Sequence, residues 1–229
     1  LRDLAGKVVM VSGATRGIGR AVAERLLAAG CRVSAGARNV ARVPESAAGF
    51  AYDATAPGTA AAWVAATLER FGRVDALVNA AGINPRATLL EGPDEAFQDL
   101  WSVNAMGPIH AIRAAWPHLV ACGEGRVINI ASLSGKRVRN ENLGYAMSKF
   151  AVMALTQEVR RLGWEHGIRA TALCPGFVDT DMTAHLTSFP RGQMSRPEDL
   201  ALLAETLLRL PNTASVAELL VNCRHEDML

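Results

Sequence analysis

The feature that most constrains this chain is an alternation of short apolar runs of strand character with longer stretches whose apolar residues recur at helical spacing. Residues 7–11, 32–37, 50–52, 76–79, 127–130 and 168–173 read as six strands, and residues 18–29, 59–71, 97–119 and 145–163 as the helices between them. Pro108 and Pro117 are expected to disturb or bound the third of these helices, since proline lacks the N–H that a helix interior needs. Short, nearly continuous apolar strands alternating with helices argue for an α/β fold, a parallel sheet covered on both faces. In such a sheet ligands sit beyond the carboxyl ends of the strands, so the residues that follow each strand carry the functional reading.

With 229 residues, half of them hydrophobic, one domain spanning 1–229 is expected, without linker or internal repeat. Residues 181–195 are polar, contain Pro190 and Gly192, and read as a lid over the crevice. Pro197 then starts a helix running to about residue 210, with Glu198 and Asp199 well placed in its first turn.

Composition removes several functions. The 24 basic and 22 acidic side chains nearly cancel, and aromatic residues are few, so no nucleic-acid partner is expected. The chain holds no apolar run of membrane-spanning length and opens without an export segment, which leads us to expect no membrane association and a cytoplasmic location. Cys31, Cys122, Cys174 and Cys223 are widely and unevenly spaced, as core thiols in a reducing compartment would be, and the five histidines show no metal-ligand spacing.

After the first strand comes Ser12-Gly13-Ala14-Thr15-Arg16-Gly17-Ile18-Gly19, which opens the first helix. Gly13 lets the chain turn, Gly17 lets the backbone approach a pyrophosphate, and Gly19 lets helix and strand pack closely, while the helix start offers N–H groups to phosphates. Glycine clusters serve many loops, and only the placement between strand and helix makes this one a nucleotide site on a Rossmann-type, doubly wound sheet. The second strand ends in Ala35-Gly36-Ala37-Arg38-Asn39, with no carboxylate to receive ribose hydroxyls. Arg38 and Arg16 together suit a 2′-phosphate and hence NADP(H), with NAD(H) the alternative; two solvated arginines are the plainer reading. Asp53, past the third strand, suits an adenine amino group or a turn. Residues 79–82 and Pro175-Gly176, with Thr180 following, end strands where a cofactor would lie.

Tyr145 and Lys149 lie four residues apart, on one side of a helix. A lysine beside a phenol is expected to lower the phenol's pKa and fit it for proton transfer near neutrality. Ser132 follows the fifth strand, within reach of a substrate oxygen. Asn104 interrupts an apolar run inside a helix, and needs partners if buried.

In these motifs the sequence resembles the short-chain dehydrogenase/reductase family over essentially the whole chain. The family's TGxxxGxG matches Ser12–Gly19 with serine first, and its NNAG matches Asn79-Ala80-Ala81-Gly82 with Ala80 for the second asparagine. YxxxK falls on Tyr145–Lys149, thirteen residues after Ser132, and PG on Pro175-Gly176. The resemblance implies an oxidoreductase moving a hydride between NADP(H) and a small carbonyl or alcohol. Tyr145 would be the acid–base residue and Ser132 would polarise the carbonyl. Lys149 would bind ribose and lower the tyrosine pKa, and Asn104 would hold a relay water. Cofactor contacts would come from Gly13, Thr15, Arg16, Gly17, Ile18, Gly19, Arg38, Asn39, Asp53, Asn79, Ala80, Ala81, Gly82, Tyr145, Lys149, Pro175, Gly176, Val178 and Thr180. It also implies a dimer or tetramer packed through the helix bearing Tyr145. The family's closing strand and VDGG-like segment are read as absent, and the end resembles the branch of NADP-dependent 3-hydroxy acid dehydrogenases. An NAD-dependent dehydrogenase, a non-catalytic dinucleotide-binding regulator, and a dehydration or epimerisation at the same site are the alternatives.

Overall fold

The computed structural model describes residues 1–225, so the last four positions of the expected 1–229 domain lie outside the described residues. Seven strands, β1 (Val8–Ser12), β2 (Arg32–Ala37), β3 (Ala48–Ala51), β4 (Ala76–Asn79), β5 (Arg126–Ile130), β6 (Arg169–Pro175) and β7 (Glu218–Val221), form one sheet in the order β3-β2-β1-β4-β5-β6-β7. Every pairing in it is parallel. The helices are α1 (Gly17–Ala28), α2 (Pro57–Phe71), α3 (Asp94–Leu100), α4 (Gly107–Cys122), α5 (Leu143–Gly163) and α6 (Pro197–Arg209). Helices α1 and α6 cover one face, and α2, α4 and α5 the other. This is the doubly wound Rossmann-type sheet expected from the alternation.

Strand pleating explains why nearly every residue of the central strands is apolar. Val9 and Val11 of β1 point into the layer holding Val22, Leu26, Leu200 and Leu208, while Met10 between them points at Trp63 and Leu119 on the opposite side. In β4 and β5, Val78 and Ile128 join the first layer, Leu77 and Val127 the second. Each fully buried aliphatic side chain of this kind contributes about 1.5–3 kcal/mol, so both faces are needed to hold the sheet.

The amino edge of the sheet is closed by buried charge. Asp75, only 3% exposed, accepts hydrogen bonds from the Val8 N–H (2.8 Å) and from Arg73 Nε (2.9 Å) and Nη2 (2.6 Å), with Lys7 at 3.7 Å. Arg126 donates to the carbonyls of Glu124, Gly125 and Leu210 at 2.8–3.1 Å.

Two expectations need correcting. The closing strand is present: β7 pairs with β6 from Glu218 to Val221, while Val221-Asn222-Cys223-Arg224 stands where the family's VDGG-like segment would be. A four-residue edge strand carries too little periodicity to be read without its motif. The helix expected over 97–119 is present as one continuous helical run, but its middle is not α-helical. Between α3 and α4, residues Trp101–Met106 form a π-helical turn that holds Asn104. Pro108 follows that turn, and Pro117 lies inside α4.

Candidate active site

The order of strands reverses between β1 and β4, and the loops leaving them open a crevice at the carboxyl edge. Ser12, the last residue of β1, fastens the two loops: its Oγ accepts the N–H groups of Ala80 and Ala81, both at 3.1 Å. Gly13 has φ +69°, and a Cβ there would lie 2.8 Å from the Ala81 backbone, so no other residue fits this crossing. Ala80 for asparagine costs little, because backbone rather than side chain is gripped.

From this crossing a cleft of about 1350 Å³ runs along the sheet edge, larger than the ~300–1,000 Å³ of most small-ligand pockets. At one end it is lined by Gly13, Thr15, Arg16, Gly17, Ile18 and Gly19. Arg16, at the start of α1, provides no side-chain cap, and the first turn holds no acidic residue. Unpaired N–H donors with no competing carboxylate match a diphosphate, so the residues present fit a dinucleotide here. Arg38, Asn39 and Asp53 line the next stretch, together with Arg42, which the sequence reading passed over. Asp53 is a turn former: its Oδ1 accepts the Thr55 N–H at 2.9 Å and the Thr55 hydroxyl at 2.8 Å, and these bonds hold its carboxyl below the usual carboxylate range. Arg16 faces Asp181 at 3.5 Å, both well exposed.

Ser132, Tyr145 and Lys149 line the same cleft, as do Pro175, Gly176, Val178, Ala80, Ala81 and Gly82, while Thr180 lies against Gly17 of the glycine loop. Ser132 ends the β5 loop, accepts the Ser134 N–H at 3.1 Å, and lies close enough to the Tyr145 phenol to favour its ionised form. Lys149 is 6% exposed and donates from Nζ to the Ile130 carbonyl at 2.8 Å, with Nζ 5.6 Å from the centre of the Tyr145 ring. Burial pulls the Lys149 ammonium down to about 8. Burial also pushes the Tyr145 phenol up to about 12, against the opposing effect of Ser132. Burial thus outweighs any lowering of the phenol's pKa by Lys149 in this structure. The ammonium is directed at a carbonyl, and loss of solvent dominates at the phenol.

Two expected residues stand behind the wall. Asn104 is buried, its Oδ1 accepting the Ile83 N–H at 2.9 Å and its Nδ2 donating to the Ile83 carbonyl and to Ser148 Oγ, both at 3.0 Å. Its amide is committed to fixing the Ile83 loop and α5. Asn79, also buried, donates to Asn129 Oδ1 at 2.8 Å and braces β4 against β5 instead of facing the cleft. The 181–195 segment carries two short 3₁₀ turns, and Asp181, Met182, Thr183, His185, Leu186 and Ser188 reach the cleft from it. Phe189 packs on Phe177 with ring centres 5.4 Å apart. Sequence reading missed Asn142, which lines the cleft three residues before Tyr145; its polar loop context gave no signal beyond that proximity.

No helix among the described residues is long and apolar enough to cross a membrane, and none of their side chains form a metal-binding cluster.

Comparison with known proteins agrees with this geometry. The chain is 40% identical to an agropine synthesis reductase of Rhizobium rhizogenes over 96% of its own length and 53% of that protein's, so it spans about half the length of that relative. It is 30% identical to the 3-oxoacyl-acyl-carrier-protein reductase of Vibrio cholerae, covering 93% of this chain and 94% of that one. The crystal structure of a dehydrogenase/reductase from Sinorhizobium meliloti superposes with a TM-score of 0.88 at 31% identity, covering 96% of this chain and 95% of the other. The sequence pattern of the short chain dehydrogenase family matches residues 7–190, and the chain belongs to that family of NAD(P)-dependent dehydrogenases and reductases.

Proposed function

We propose that the chain is an NADP(H)-dependent oxidoreductase that interconverts a small ketone or aldehyde and its alcohol. The observation that carries this reading is the opening of Tyr145, with Ser132 close to its phenol and Lys149 one helical turn away, into the same cleft as the uncapped start of α1. The bound nicotinamide cofactor supplies the hydride in reduction and takes it up in oxidation. Tyr145 donates a proton to the carbonyl oxygen in reduction and takes one from the alcohol in oxidation. Ser132 holds that oxygen and stabilises the phenolate left behind, and Lys149 holds a cofactor ribose while keeping positive charge near the ring. Asn104, through Ile83 and Ser148, keeps the floor of the site rigid.

The N–H groups of Gly17, Ile18 and Gly19 hold the diphosphate, and Pro175, Gly176, Val178 and Thr180 border the nicotinamide. Preference for NADP(H) is supported by Ala37 where a repelling carboxylate would stand, and by Arg16, Arg38 and Arg42 along the cleft. The Arg16–Asp181 pair is exposed, so exchanging Asp181 for a phosphate costs little. Residues 181–195 act as a lid on a single domain. Trp101, Met147 and Phe150 are 50%, 52% and 42% exposed, and support a dimer or tetramer packed through α5. Four free cysteines fit a reducing compartment such as the cytoplasm.

Titration with NADPH and NADH, followed by nicotinamide fluorescence, tests the cofactor assignment. Tighter NADPH binding is expected; equal or tighter NADH binding would overturn the preference, and binding of neither would overturn the enzyme reading.

A further inference from the structure

We infer that Asn142 is a positioning residue for Tyr145, fastening the start of α5 to the cleft wall formed by residues 84–88; the inference rests on the acid–base role proposed for Tyr145. Asn142 is the N-cap of α5, and its Oδ1 accepts the N–H of Tyr145 itself at 3.4 Å and that of Ala87 at 3.0 Å. Its Nδ2 donates to Asn84 Oδ1 at 2.7 Å and to the Pro85 carbonyl at 2.9 Å. One amide therefore uses both ends to join segments 55–58 residues apart in the chain.

The surrounding contacts form a short zipper around that amide. The Gly144 N–H donates to the Ala87 carbonyl at 2.9 Å. A Cβ on Gly144 would lie 2.7 Å from that of Ala87, so the two backbones meet where no side chain fits. Arg86 and Glu141, 3.2 Å apart, close the outer edge.

Tyr145 lies in the first turn of α5, where helix N–H groups lack intrahelical partners and the backbone frays unless capped. The position of its phenol follows that turn directly. A shift of about 1 Å between an acid and the atom it protonates can cost about 100-fold in rate. The zipper thereby ties proton delivery to the wall that a substrate touches, since Asn84 and Asn142 both line the cleft. A cap that only stabilised the helix would change melting temperature and leave turnover of the folded enzyme alone.

The test compares Asn142→Gly, Asn142→Ser and Tyr145→Phe, assayed as NADPH oxidation with the best-reduced compound from a panel of ketones and aldehydes. Glycine is tolerated at N-caps, so the deletion variant folds, and serine restores a cap acceptor. Asn142→Gly is expected to lower kcat by about 30-fold while KM for NADPH stays within about twofold, and Asn142→Ser to recover most of that loss. Ultraviolet titration gives a reading independent of substrate, Tyr52 being the other tyrosine. The Tyr145 phenol should ionise at a different pH in Asn142→Gly, as its distances to Ser132 and Lys149 change. The inference is overturned if Asn142→Gly keeps kcat and phenol titration while melting lower, or if Asn142→Ser does no better than glycine. Parental turnover by Tyr145→Phe would instead overturn the acid–base reading, and the inference with it.

Discussion

The two edges of the sheet bury charge in opposite ways. At the amino edge Asp75 is saturated. Burial pushes its pKa up, but the Arg73 hydrogen bonds, the Val8 N–H and the Arg73 charge outweigh that and hold the carboxyl below its usual value. At the carboxyl edge Lys149 is as well buried but donates to one carbonyl, and the balance there falls to burial, which lowers its pKa. The same physics, applied to a complete and an incomplete set of partners, gives a clamp at one end and a reactive group at the other.

Separating the two ends by mutation sharpens this contrast. Tyr145→Phe should lower turnover by about 1000-fold, roughly 4 kcal/mol of barrier, with an unchanged melting curve; an active variant breaks the assignment of chemistry to the carboxyl edge. Asp75→Asn should do the reverse, destabilising by about 3 kcal/mol in urea unfolding while the folded fraction keeps its turnover. Loss of specific activity without loss of stability would show that the amino edge is not a passive clamp.

The pH dependence of stability offers a third break. The unfolded chain holds the Lys149 proton to near its ordinary 10.5, the folded chain only to about 8. Between those values unfolding takes up a proton, so native stability should rise with pH, by about 3 kcal/mol. Asp75 gives a slope of the same sign at the acid end. Its folded pKa is depressed, so the stability it contributes is present above the ordinary carboxylate value and lost as pH falls through the folded one. Lys149→Met should flatten the alkaline slope alone; an unchanged slope assigns it to another group. The smallest effect is expected at the cofactor's far end, where Arg38→Ala should weaken NADPH binding about tenfold and leave NADH unaffected.

What was legible in the sequence follows the same division. The strand and helix alternation, the Gly13–Gly19 loop and the Ser132, Tyr145 and Lys149 set were readable, because each is a local pattern whose geometry follows from spacing. Less readable were properties that depend on distant partners. Asn79 looked like a cofactor contact, but Asn129 on the next strand claims it. Asn142 drew no reading from sequence, because the backbone it grips lies some 55 residues away. The direction of the Tyr145 pKa shift needed the burial of the phenol and the aim of Lys149, neither of which spacing encodes. The β7 strand was too short and too peripheral to announce itself without its motif.

The π-helical turn at Trp101–Met106 makes the length of this segment itself part of the design. Each α-helical residue advances about 100° around the axis, so deleting one residue to regularise the helix would swing either Asn104 away from Ile83 or the whole of α4 away from α2. Straightening this helix for stability would therefore remove the fixture behind the cleft floor.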